Sequence, residues 1–136
     1  MSVPLQFGRI VWADMADANG IPKLRPGVIV TPSDRITPAV PLDVIAVTSR
    51  VPEPLPQDHV LLPWHAQRHP RTGLNRKCAA VCTWVARIRH TDIREVAGIV
   101  PGTVMLEILS KVTALLAPPS DPPDKAGGQS SGSPSI

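Results

Sequence analysis

KCAAVCTWVARI, residues 77–88, holds the longest run in the body of the chain, residues 78–86, with neither a charged residue nor a proline, and its reading decides the fold. That run is far shorter than the roughly 20 apolar residues needed to cross a bilayer, so no transmembrane helix is expected. Alternate residues of a strand face opposite sides. On that spacing Cys78, Ala80, Cys82 and Trp84 form a core side, and Lys77, Ala79, Val81 and Thr83 form a floor facing something polar. The stretch is predicted to be a strand, the fifth and longest of the chain.

Working outward, four shorter runs precede it. FGRIVWADM (residues 7–15) is rich in β-branched and aromatic residues and is followed by the turn-forming ADANGIP. LRPGVIVTP (24–32), LDVIAVTS (42–49) and HVLLPW (59–64) follow, and Pro26 is tolerated near a strand's start. The connectors between the later runs are proline-rich and lack helical periodicity. After the fifth strand a helical turn is predicted over residues 91–97, with Thr91 as N-cap and Gly98 past its end. A longer amphipathic helix follows Pro101, with Met105, Ile108, Leu109, Val112, Leu115 and Leu116 at three- and four-residue spacing. Glu107 and Lys111 form an i,i+4 pair on its polar side, and Pro118 and Pro119 stop it. With 17 prolines in 136 residues a long helical bundle is excluded. The expectation is a mainly β domain over residues 1–117, a small barrel or sandwich of about five strands with a C-terminal helix. A Pro, Gly and Ser-rich tail at 118–136 is expected to be disordered.

The formal net charge is +3, which decides nothing, but its distribution is uneven. Between residues 65 and 94 seven basic residues (Arg68, Arg71, Arg76, Lys77, Arg87, Arg89, Arg94) face Asp92 alone. Such a segment suits a polyanionic partner or a solvated surface. The start, MSVPLQFGR, lacks the pattern of a secretory signal, and with two cysteines the chain reads as cytoplasmic and reduced. His65 and His69 at H-x3-H with Cys78 and Cys82 at C-x3-C suggest a zinc site. On one extended strand, however, those cysteines lie roughly 13 Å apart. Buried structural cysteines are the better reading, and no metal is expected.

His59, His65, His69 and His90 each have the chemistry of a general base, although a histidine is more often structural. Arg25 precedes a proline and is therefore extended at the start of its strand. Thr48 and Ser49 close a strand with two hydroxyls, able to hold a phosphate or to start a turn. Arg71 and Thr72, in the HPRTGL text, are turn residues.

In this order and spacing, GRIVWADM, LRPGVIVTP, VIAVTS, a TGL turn, a long strand ending in ARIRHTDI and a final amphipathic helix resemble the MazF/PemK toxins of toxin-antitoxin systems. The resemblance spans residues 7–116. It implies an SH3-like barrel, a homodimer, a cognate antitoxin protein, and cleavage of single-stranded RNA that leaves a 2′,3′-cyclic phosphate without metal or cofactor. It implies Arg25 as the catalytic arginine and Thr48 as the catalytic or phosphate-positioning threonine, with Ser49 beside it. His59 is the candidate base, and Arg71, Arg76, Lys77 and Ala79 are the candidate RNA contacts. An arginine and aspartate that some PemK-type members carry on the fifth strand correspond here to Val81 and Thr83, and the first loop is shorter. These departures favour an alternative, a cleavage-deficient binding module.

Overall fold

Charge-poor, β-branched runs punctuated by proline-rich connectors become strands, six of them, in the computed structural model, which describes residues 4–16 and 19–116. They are β1 (Arg9–Ala16), β2 (Pro22–Ile29), β3 (Leu42–Thr48), β4 (His59–Leu61), β5 (Ala79–Ile88) and β6 (Ile93–Ile99), followed by the helix α1 (Gly102–Leu116). All pair antiparallel in one open sheet of order β4-β5-β3-β2-β1-β6. The mainly β expectation with a terminal helix holds, with one more strand than expected. The expected tail at 118–136 lies outside the described residues.

The added strand corrects the helical turn expected at 91–97. His90–Asp92 form a single 3-10 turn, closed by the Asp92 carboxylate accepting from Arg89 N (2.9 Å), and the chain then runs extended. Beside it β1 has an unpaired edge, and Arg9, Val11 and Trp12 take Ile99, Val96 and Glu95 as partners. Satisfying that row of backbone groups outweighs a weak local helix preference.

Both sheet faces are buried. Ile10, Val28, Ile45, Val60, Ala80 and Cys82 pack on one face together with Met105 and Ile108 of α1. Val11, Ala13, Met15, Ile29, Val44 and Ala46 fill the other. Trp84 and Ala86 of β5 pack on this second cluster, and so do Ile93 and Val96 of β6. Strands far apart in the sheet order thus share one core, so the sheet is strongly curled. Gly27 fits inside the curl, where an added Cβ would strike the Met15 side chain. On α1, Leu106 and Leu115 face outward, and Lys111 reaches Gln57 O at 2.7 Å.

One irregularity redirects β5. Between Ile45 and Val47 the β3 register advances two residues, while β5 moves from Val85 to Ala80. The odd number of extra residues forms a bulge, and a bulge of odd length exchanges the two faces. Cys78, Ala80 and Cys82 therefore lie in the helix-side core as expected, whereas Trp84 lies in the other. The expected floor is also interrupted: Thr83 is exposed, but Ala79 is completely buried.

Candidate functional site

The β2–β3 ladder covers only Gly27, Val28 and Ile29, paired with Ala46, Ile45 and Val44. Pro26, the next residue, has no N–H to donate, and beyond it the two strands part. The gap is a groove of about 930 Å³, walled by Lys23, Leu24, Arg25 and Pro26 on one side and by Val47, Thr48, Ser49 and Arg50 on the other. Continuing the register by two residues brings Arg25 level with Thr48, on the same face. Arg25 and Thr48, 23 positions apart in sequence, thus both line the opening.

Arg25 is held from one side. Its guanidinium carbon lies 4.7 Å from the Trp84 ring centroid, a cation–π contact. Its Nε is buried and has no hydrogen-bond partner among the described residues. A buried donor in that state costs free energy until a ligand accepts from it. The Thr48 hydroxyl accepts from Arg50 N at 3.1 Å, starting a turn, while its own proton reaches Arg50 O only at 3.5 Å. Thr48 both starts a turn and keeps a weakly used donor.

Five cations line the groove, Lys23, Arg25, Arg50, Arg68 and Arg76, against the single carboxylate Glu95 among the described residues. Trp12, between Pro26 and Glu95 in the sheet, adds an aromatic wall. Of the residues expected from sequence, Arg25, Thr48, Ser49 and Arg76 come together here. Four others do not. Lys77 is tied to Glu53 at 3.1 Å, and Arg71 uses its backbone carbonyl on Ile99 N at 2.8 Å. Ala79 presents no surface, being enclosed between Thr48 of β3 and Leu61 of β4.

His59 is the fourth. It pairs with Val81 at the start of β4, and its Nδ1 lies 2.7 Å from Asp58 Oδ1. Asp58 Oδ2 accepts from the Thr83 hydroxyl at 2.6 Å. The Thr83 and His59 hydrogen bonds hold the Asp58 carboxyl below its usual value. None of Asp58, His59 and Thr83 is among the residues that line the groove. The two thiols, Cys78 at the groove's lining and Cys82, are buried and free, and burial pushes each up to about 11. Burial thus favours their protonated form at neutral pH.

Sequence reasoning missed Lys23, Arg50 and Trp84, and named Arg68 only within the basic segment 65–94. Lys23 alternates with Arg25 in KLR, a period-2 signal available in the sequence. Trp84 needed the bulge, and Arg68 showed only as one of seven basic residues between 65 and 94.

A sequence profile described as "PemK-like, MazF-like toxin of type II toxin-antitoxin system" matches residues 6–116. Among solved structures, MazF from Deinococcus radiodurans (Form-I) is similar, with a TM-score of 0.66 at 20% identity over 85% of this chain and 98% of that one. A MazE-MazF structure from the same organism (Form-III) gives 0.63 at 22%, covering 85% and 97%. An endoribonuclease from a mycobacterial species gives 0.57 at 18%, covering 89% and 98%. At these identities the likeness concerns the fold. By sequence alone no curated protein is similar enough to match.

Proposed function

This chain belongs to the PemK-like, MazF-like toxin family, whose members are endoribonucleases, and from that premise we propose that it cleaves single-stranded RNA by attack of a 2′-hydroxyl on the adjacent phosphate. The observation that carries the reading is Arg25, with a buried N–H that has no partner among the described residues, lining one groove with Thr48 where β2 and β3 part.

In the reaction the 2′-hydroxyl gives up its proton to solvent as its oxygen bonds to phosphorus, and the bond to the 5′-oxygen breaks as that oxygen takes up a proton, giving a 2′,3′-cyclic phosphate and a 5′-hydroxyl. Negative charge accumulates on the non-bridging oxygens on the way. A guanidinium, always charged and offering several donors in a fixed fork, suits that moment. Stacking on Trp84 fixes the plane of the Arg25 fork before substrate arrives, so little orientation is lost on binding. Thr48 Oγ1 and Ser49 hold the non-bridging oxygens from the opposite wall. With the charge met by side chains, the reaction is proposed to run without metal.

The similarity to MazF in MazE-MazF structures supports a protein antitoxin as partner, and the exposed Leu106 and Leu115 of α1 suit a protein contact such as a homodimer. No helix among the described residues is long and apolar enough to cross a membrane. The test is incubation of the purified protein with long single-stranded RNA in EDTA, followed by analysis of the product ends. Cyclic phosphate ends that disappear in Arg25→Ala support the reading. Binding without cleavage would instead assign the chain to the cleavage-deficient module that Val81 and Thr83 suggested.

A further inference from the structure

The H-x3-H spacing of His65 and His69 has no part in the chemistry above, and the structure gives it another. Both imidazoles face their own backbone. His65 Nδ1 accepts from Gln67 N (3.0 Å), and His69 Nδ1 accepts from Arg71 N (3.1 Å) and Thr72 N (3.3 Å). Around them Leu74 O accepts from His65 N (3.1 Å) and His69 N (3.0 Å), and Gly73 N donates to His69 O (2.9 Å). Thr72, completely buried, donates its hydroxyl to Pro63 O (2.8 Å) and accepts from Leu74 N (3.2 Å). The segment is also pinned to β6. Ile99 N donates to Arg71 O, and Gly98 sits so close to the Arg71 and Thr72 backbone that any Cβ would overlap it.

Within this network one residue is held against its preference. Arg68 has φ +77, the only positive φ among the described non-glycine residues, with its N–H on His65 O at 2.8 Å. A bulky residue stays in that region only where its surroundings over-determine it. Arg68 lines the groove, and so does Arg76 at the other end of the segment.

We propose that residues 65–76 form a preformed phosphate clamp beside the cleavage site, in which Arg68 and Arg76 hold backbone phosphates of a single-stranded RNA and His69 is the positioning residue that keeps the segment in shape. The proposal rests on the endoribonuclease reading and deepens it. Separated guanidinium forks along an open groove with Trp12 on its wall suit a repeating charged backbone carrying flat bases. A lone acidic side chain would need only one of them.

The test measures binding of the full chain to a labelled 2′-O-methyl RNA oligomer of mixed sequence, which cannot be cleaved, across a salt titration. Arg68→Gly removes the guanidinium and supplies the residue that tolerates this φ. It should melt at the same temperature or higher, yet bind RNA more weakly, with the salt slope reduced by about 0.7. His69→Asn, which keeps an acceptor for the two N–H groups, should bind as the wild type does. His69→Phe should weaken binding, and should add little once Arg68 is already glycine, an effect that a purely structural role would not give. Wild-type slope in Arg68→Gly overturns the clamp, and so does full additivity of the two changes. If Arg68→Gly spares RNA but loses an oligoglutamate peptide, the segment is an acidic-peptide site and the proposal fails. Absence of any RNA binding by the wild type would instead sink the endoribonuclease reading itself.

Discussion

In the groove, Arg25 keeps a buried N–H without a partner among the described residues and Thr48 keeps a loosely used proton, whereas beside β4 Asp58 gives one oxygen to Thr83 and the other to His59. Both regions gather the side chains from which active sites are made. The difference is that the second region satisfies its own polar groups and the first leaves them for something else. Buried polar groups in folded proteins are nearly all paired, so an unpaired one beside an open groove points to a ligand, and a saturated cluster points to structure.

The comparison breaks most decisively at Arg25. Arg25→Ala should lower the cleavage rate about 100- to 1000-fold, the usual cost of a lost donor to transition-state charge, with RNA binding largely kept. Arg25→Lys should not rescue it, because a point charge lacks the fork. Initial rates on a defined RNA substrate measure both, and cleavage that survives Arg25→Ala would end the assignment.

Thr48→Val keeps the shape and removes the hydroxyl. It should raise the barrier by about 1.5–3 kcal/mol, the range for a hydrogen bond to a charged group, seen as a lower kcat.

For the saturated cluster the prediction reverses: His59→Ala should leave cleavage near wild type and cost about 1 kcal/mol of stability, the net worth of a hydrogen bond. The Asp58 carboxyl, whose folded value lies below 3.8 because of Thr83 and His59, adds a pH signature. Its contribution is fully present above about pH 3.8 and is lost as pH falls below that, where the unfolded chain takes up the proton first. Asp58→Asn should therefore be less stable than wild type at neutral pH, with the gap narrowing on acidification, as thermal melts from pH 6 to 2.5 would show. A large loss of cleavage in either variant would place this cluster in the reaction.

The smallest effect separates two adjacent cations. Arg76→Ala should reduce the salt slope of RNA binding by about 0.7, while Lys77→Ala, which frees only an exposed Glu53 pair, should leave it unchanged. Exposed pairs of this kind contribute little. Equal slopes for the two variants would erase the distinction between groove and surface.

Much of this arrangement is legible along the chain. The β-branched runs are strands within two or three residues of their expected limits. Pro101 stands just before α1, and Arg25 and Thr48, named from the resemblance, line one groove. Pro26 was legible as a strand-compatible proline, but not as the residue where the ladder ends, because that depends on which neighbour its missing N–H would have served. Residues 91–97 were misread because their local helix signals are real but weak, and the unpaired edge of β1 is not visible in them. That His59 shares Asp58 with Thr83 was not legible, because Thr83 is its neighbour in space and not in sequence.

The sequence by itself determined what depends on a few consecutive residues: period-2 burial, the amphipathic stripe around Met105 and Ile108, the proline stops, and a surplus of arginine between residues 65 and 94. Tertiary structure alone decided which face Trp84 takes, since the bulge arises from pairing with β3. It also decided which charges are free, since Lys77 has Glu53 at hand while Arg76 beside it opens onto the groove. The physical reason is that backbone conformation is set largely by local sterics and hydrogen bonding. Register, and the pairing or isolation of a charge, are set by whatever distant segment the fold brings alongside.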